Sequence, residues 1–260
     1  MKAFILAAGF GKRMGDLTRD LPKPLLPVNG RALLDYTLFQ LHRWKCSEAV
    51  INVHYLPDAI VNHLKSFRGF PVHVSREEKI LGTAGGLRNA LQYFRDEQAV
   101  VMINPDTLFF SHAWDRPEIP VKAFQGDTSA CLYLAEKPAH SKERGWDFAP
   151  SGNDTDRAAP ACDAQDTQPI RFVESGGRYF YNGYSVVNPA SIEALEPGKF
   201  EEFGPVWVRQ AEAGTLLGKV YRGWTMDAGT REPYEDLRNS DPVPDEYRED
   251  WEAFLRLWKN

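Results

Sequence analysis

LAAGFGKRMGDLTRDLPKPLLPV, running from Leu6 to Val28, follows directly on a short apolar run, Lys2–Leu6. It gathers small residues (Ala7, Ala8), two glycines (Gly9, Gly11), two adjacent cations (Lys12, Arg13) and a further cation, Lys23, between Pro22 and Pro24. These residue types suit a phosphate. Bare backbone N–H groups point at an anion where no Cβ intrudes. Arg13 offers a fork of donors matched to phosphate oxygens, and Lys23 a point charge. The flanking prolines restrict the backbone around Lys23 and so lower the entropy lost when it engages a ligand. The bland alternative is a solvated surface loop with chance cations. Two familiar phosphate loops do not fit. The dinucleotide fingerprint needs a third glycine where Met14 stands, and the P-loop needs Ser or Thr where Arg13 follows Lys12.

The elements that would position this loop read as α/β. Lys2–Leu6 is a first buried strand. Leu34, Leu38, Leu41 and Trp44 fall at helical spacing and predict a helix over Leu33–Trp44. Strands follow at Ala49–Val53, Pro71–Ser75, Ala99–Ile103 and Ser129–Ala135, with helices at Asp58–Phe67 and Gly86–Arg95. This alternation favours a largely parallel sheet with helices on its faces. Residues 147–168 are rich in Asp, Ala, Pro, Ser and Gly and read as a flexible loop or insertion. Beyond them come strands at Ile170–Val173 and Tyr179–Val187, a helix at Val206–Ala213 and an extended Gly218–Tyr221. A C-terminal helix over 246–259 puts Tyr247, Trp251, Phe254 and Trp258 on one stripe, to be covered by the domain itself or by a second copy. No internal repeat is present.

Composition narrows the class. The 260 residues suffice for one large α/β domain, 1–260, and a net charge of −5 argues against a general nucleic-acid binder. No run approaches the roughly 18 apolar residues of a membrane span. Cys46, Cys131 and Cys162 are widely spaced, which fits neither a disulfide framework nor a zinc site and suits a cytoplasmic protein. His42, His54 and His63 are not spaced as metal ligands and read as helix-face or loop residues.

The chain resembles the sugar-1-phosphate nucleotidylyltransferases. The resemblance rests on Leu6-Ala7-Ala8-Gly9-Phe10-Gly11-Lys12-Arg13, on Leu17-Thr18 and on Pro22-Lys23-Pro24. It continues through VINVHYLPDAIVNHL, LGTAGGLRNAL and INPDTLF, and reappears in YNGYSVVNP and GWTMDAGT, in the family's order over nearly the whole chain. It implies a Rossmann-like three-layer α/β/α nucleotidyltransferase fold with a mixed, mostly parallel central sheet. It implies that a nucleoside triphosphate (NTP) and a sugar 1-phosphate are joined with release of pyrophosphate. By the resemblance the Gly9–Gly11 loop with Leu6, Ala7, Ala8 and Lys12 wraps the nucleotide. Arg13 and Lys23 contact its phosphates, and Gly82 and Thr83 line base and ribose. Asp106 and Asp227 hold Mg²⁺, with Asp106, Arg13 and Lys23 catalytic. Glu174, Asn182 and Gly183 lie where the family receives the sugar. The compact length is nearest the short members that act on N-acetylmuramate, mannose or heptose 1-phosphate, monomers or homodimers with UTP or GTP as donor.

The chemistry is coherent with these residues. A sugar phosphate is largely ionised at neutral pH, its second pKa being about 6, so no general base is needed. What is needed is neutralisation of two anions and in-line placement. Asp106 follows Ala99–Ile103 at the carboxyl edge of a sheet, where open α/β folds bind ligands. Either aspartate by itself is as readily a turn-former. Four departures stand out. Pro105 precedes Asp106, and Gly15-Asp16 puts an acid in the loop. Glu174 is followed by Ser175-Gly176 rather than Lys-Pro, leaving Arg171 or Arg178 as substitute cations. Arg76-Glu77-Glu78-Lys79 replaces the base-reading Gln of uridylyl members; its carboxylates read either as acceptors for guanine or as solvated charge. Two other readings stay open. A silent NDP-sugar-binding relative would not need the aspartates, and a phosphocholine cytidylyltransferase would use Tyr179, Phe180, Tyr181 and Tyr184 as an aromatic cage.

Overall fold

The computed structural model describes residues 1–111, 124, 127–137, 142–150 and 167–259. The loop expected over 147–168 lies outside them for residues 151–166, as does Cys162. Its two ends are strand: Gly145–Phe148 (β9) and Gln168–Val173 (β10) pair antiparallel.

The first half builds the parallel part of the sheet. Lys2–Leu6 (β1), Glu48–Val53 (β4), Val72–Arg76 (β5) and Val100–Ile103 (β6) run parallel. Tyr179–Val187 (β11) then pairs antiparallel with β6, and Ala130–Glu136 (β8) and Leu216–Val220 (β12) continue the sheet. Among the described residues nine strands are ordered β5-β4-β1-β6-β11-β8-β12-β10-β9. The chain steps outward from β1 to β4 and β5, then returns to the other side of β1 with β6. That reversal opens a crevice at the carboxyl ends of β1 and β6, the switch point where such sheets bind ligands.

Side chains alternate across the pleat into two cores. Ala3, Ile5, Ala49, Ile51, Val101 and Ile103 face one core, while Phe4, Val50, Val100 and Met102 face the other. Helices Leu33–Arg43 (α1), Pro57–Leu64 (α2), Arg231–Leu237 (α5) and Arg248–Leu255 (α6) cover the first. Gly82–Asn89 (α3) and Phe203–Glu212 (α4) cover the second. The three-layer, mixed-sheet expectation holds.

Several boundaries differ from the sequence reading, those of two helices most informatively. The helix expected at Gly86–Arg95 starts at Gly82, ends at Asn89, and is followed by a 3-10 turn, Leu91–Tyr93. A Cβ on Gly86 would lie 2.7 Å from Asn52 Nδ2, so that glycine serves close packing rather than a turn. The C-terminal helix expected over 246–259 ends at Leu255, because the backbone beyond it bonds elsewhere: Leu257 O accepts from Arg68 N, and Lys259 N donates to Ser66 O. Its aromatic stripe is covered by the chain itself. Trp251 stacks on Tyr36 at 4.8 Å, and Phe254 packs on Phe39. Two small antiparallel pairs were not foreseen: Pro27–Val28 (β2) with Arg31–Ala32 (β3), and Thr107–Phe110 (β7) with Trp224–Asp227 (β13). Among the described residues no helix is long and apolar enough to cross a membrane.

Candidate active site

The crevice at the switch point is a cleft of about 340 Å³. Its lining includes every residue expected to touch the nucleotide: Leu6, Ala7, Ala8, Gly9, Gly11, Lys12, Arg13, Gly82 and Thr83. Lys23 and Asp106 line it too.

The loop leaving β1 is held in three ways. Gly11 has φ +67°, a left-handed conformation natural to glycine, and the Met14 amide donates to its carbonyl at 2.8 Å. The Ala7 amide donates to Asn52 Oδ1 at 2.7 Å, while Asn52 Nδ2 donates to Glu77 Oε1 at 2.7 Å. Glu77 Oε2 then accepts from the Leu81 amide at 2.9 Å, just before α3. One buried polar chain thus ties the phosphate loop to β4 and α3. The acid in the loop is neutralised: Arg231 donates to Asp16 at 2.6 Å, and that bond chiefly holds the Asp16 carboxyl below its ordinary range. Arg13 makes no ion pair among the described residues, and Lys12 lies 5.3 Å from the Phe10 ring centroid.

Asp106 and Asp227, 121 residues apart in sequence, meet because β13 pairs with β7. The register sets Asp227 opposite Thr107, and Ala228 N donates to the Asp106 carbonyl at 2.8 Å. A Cβ on Gly229 would lie 2.8 Å from Asp227 Oδ1 and 3.6 Å from Asp106 Oδ2, so both carboxylates approach one point. Lys23, 9% exposed, donates from Nζ to Asp106 Oδ2 at 2.7 Å and to the Gly229 carbonyl at 2.6 Å. Among the described residues no group of three or more His, Cys, Asp or Glu could hold a metal. A pair suffices for Mg²⁺, which keeps waters and takes phosphate oxygens alongside one or two carboxylates. The donor set fits that ion.

None of the three expected sugar residues lines the cleft, although Gly183 is bonded to a residue that does. Asn182 and Gly183 lie at a register shift in the β11–β8 pairing, with Gly183 at φ +95°. The Gly183 carbonyl accepts from the amide of Asn104, a cleft residue, at 2.8 Å. Asn182 Nδ2 is buried and has no hydrogen-bond partner among the described residues. Glu174, just past β10, is exposed and does not line the cleft. Neither substitute cation lines it: Arg171 pairs with Asp147 at 3.9 Å and Arg178 with Glu136 at 2.9 Å.

Arg76, Glu78 and Lys79 are exposed, as the solvated-charge reading has them, but Glu77 departs from it. It is 6% exposed, both oxygens are occupied within the protein, and burial pushes its carboxyl above the ordinary range. Glu77 also does not line the cleft, so it is not placed to read a base. The aromatic cage is likewise absent: Tyr179 lies in one core and Tyr184 in the other, stacked on Tyr133 at 3.9 Å. Cleft residues missed by the sequence reading include Asn52, Ile80, Asn104 and Glu202. Glu202 accepts from Thr83 Oγ1 at 2.7 Å and fastens α4 to the start of α3.

A family model described as a MobA-like NTP transferase domain matches residues 3–120. N-acetylmuramate alpha-1-phosphate uridylyltransferase of Caulobacter vibrioides is 31% identical over 235 residues, 87% of this chain and 91% of that protein. Mannose-1-phosphate guanyltransferase of Pichia angusta is 28% identical over 236 residues, 88% of this chain and 61% of that protein. The structure of a UDP-glucose pyrophosphorylase from Acinetobacter baumanii superposes with a TM-score of 0.73, covering 98% of this chain and 99% of that one. At 16% identity that last likeness is one of fold. With the sequence relationship spanning almost the full length of the uridylyltransferase, the chain belongs to the sugar-1-phosphate nucleotidylyltransferase family, enzymes that make NDP-sugars.

Proposed function

We propose that the cleft holds an NTP with its triphosphate over the Gly9–Arg13 loop, and that a sugar 1-phosphate attacks the α-phosphorus with Asp106 and Asp227 on the reacting side. A phosphate oxygen of the sugar forms the new P–O bond, the bond between the α-phosphorus and its bridging oxygen breaks, and pyrophosphate leaves. Backbone amides of the loop, Arg13 and Lys12 take the phosphate charge of the nucleotide. Gly82 and Thr83, at the start of α3, line the nucleoside end. Asn182, whose Nδ2 is buried with no partner among the described residues, is the donor this reading assigns to the sugar. Asp106 and Asp227 would hold Mg²⁺, which would supply charge neutralisation at the phosphates.

The observation that carries this reading is the β13–β7 pairing, which gathers two aspartates and Lys23 beside the glycine loop. A silent NDP-sugar binder has no use for that convergence. UTP and GTP are the donors that fit the family relationship. The test is pyrophosphate release with Mg²⁺ across four NTPs and a panel of sugar 1-phosphates, including those of N-acetylmuramate, mannose and heptose. One productive donor–acceptor pair is expected. Binding of NDP-sugar without turnover of any pair would refute the assignment of these residues to catalysis.

A further inference from the structure

Lys23 already occupies the ground that a divalent ion would claim. Its ammonium donates to Asp106 Oδ2 at 2.7 Å and to the Gly229 carbonyl at 2.6 Å. Asp227 Oδ1 meanwhile accepts from Gly229 N at 2.8 Å. Each of the carboxylates that converge beside Gly229 thus has one oxygen engaged within the protein, that of Asp106 by a full positive charge. We propose that Lys23 is a stand-in cation which keeps free divalent metal off Asp106 until an NTP arrives, so that metal and nucleotide enter together. The inference rests on the reading of Asp106 and Asp227 as the metal pair.

Charge and geometry both support it. An ammonium and a divalent ion a few ångströms apart repel, and the burial of Lys23, 9% exposed, weakens the screening of that repulsion by water. Mg²⁺ also gives up hydration water reluctantly, and a carboxylate already neutralised by lysine offers little in exchange. A triphosphate reverses the balance, because its oxygens give the ammonium acceptors as good as Asp106. Lys23 can make the exchange by rotating its side chain alone. Its Cβ lies 3.3 Å from the point where a Cβ on Gly11 would sit, so its stem abuts the phosphate loop. Its backbone is held between Pro22 and Pro24, at the start of a 3-10 turn. Lys23 thus serves as a positioning residue for metal entry as well as a phosphate contact.

The test is Mn²⁺ binding, followed by electron paramagnetic resonance with no nucleotide present, in wild type, Lys23→Met and Lys23→Arg. Wild type and Lys23→Arg are expected to bind Mn²⁺ weakly, and Lys23→Met about tenfold or more tightly, as expected when a close charge is removed. Adding Asp106→Asn to Lys23→Met should abolish the gain. Equal or weaker Mn²⁺ binding by Lys23→Met overturns the proposal. Should that variant fail to fold, thermal melts of wild type decide: Mg²⁺ by itself should leave the melting temperature unchanged, whereas Mg²⁺ with NTP should raise it. A full rise with Mg²⁺ and no nucleotide overturns the proposal. Pyrophosphate release by wild type, run in parallel, separates the two readings. Turnover with unchanged metal affinity in Lys23→Met sinks only the stand-in role. Absence of both turnover and Mn²⁺ binding in every variant sinks the active-site assignment as well.

Discussion

Replacing Asn52 by leucine removes the centre of the buried chain that runs from the phosphate loop to α3. Two bonds vanish: Ala7 N to Asn52 Oδ1 at 2.7 Å, and Asn52 Nδ2 to Glu77 Oε1 at 2.7 Å. Asn52 is 2% exposed, Ala7 2% and Glu77 6%, so water cannot readily replace the lost partner. An orphaned buried N–H costs about 1–3 kcal/mol, and a charged acceptor that loses a donor about 1.5–3 kcal/mol. The expected loss is about 3–5 kcal/mol, offset in part by the apolar surface of leucine. For a chain of this size that is a fall in melting temperature of about 6–20 °C. Because the same amide fixes the strand-to-loop corner, KM for NTP should rise along with the loss of stability. Thermal melts and steady-state pyrophosphate release measure the two effects. A cycle with Glu77→Gln should show coupling of about 0.5–3 kcal/mol, since the residues share a network. A melting temperature within about 2 °C of wild type, with KM unchanged, would refute the claim that this chain positions the loop.

Three further outcomes follow from the same geometry. Gly11→Ala places a Cβ 2.9 Å from Thr18 Cγ2 at φ +67°; a misplaced loop should lower kcat/KM by about 10- to 100-fold, read by pyrophosphate release. Burial raises the Glu77 carboxyl above its ordinary 4.5, so its contribution to stability is fully present below that pH and is lost as pH rises through the folded-state value. Urea midpoints of wild type relative to Glu77→Gln should therefore fall with rising pH in that window, and a flat difference would count against a buried, proton-linked Glu77. Trp251→Ala removes a ring 7% exposed and stacked on Tyr36; it should cost about 3–5 kcal/mol in urea unfolding with KM for NTP unchanged, because α6 does not line the cleft.

The legible parts of the chain were those where local pattern and final environment agree. Lys2–Leu6, the leucine stripe of α1 and the glycine-cation loop carry their structure in their own spacing, and the cleft lining matches the expected nucleotide residues. α3 was misplaced because Gly82, Gly85 and Gly86 look like a breaker, whereas Gly86 makes room for Asn52 and Glu77. β7 and β13 are four residues each and gain meaning only by pairing across more than 100 residues, so nothing local announces that Asp106 and Asp227 share a corner. Asn52 and Asn104 were invisible for a related reason: a single Asn at the end of an apolar strand looks like any polar strand exit. Glu77 sits in a run of four charged residues that reads either as solvated charge or as acceptors for a base, and only the fold shows it turned inward onto two donors.

The central claim is that Asp106 and Asp227 jointly grip the ion that accompanies a triphosphate over the Gly9–Arg13 loop. Its most direct measurement is an anomalous difference map from a crystal grown with Mn²⁺ and a non-hydrolysable NTP. The account predicts one peak about 2.1 Å from a carboxylate oxygen of each aspartate and from a phosphate oxygen. A peak held by the phosphates with neither aspartate, or bound to one aspartate while the other stays on Gly229 N, would contradict it.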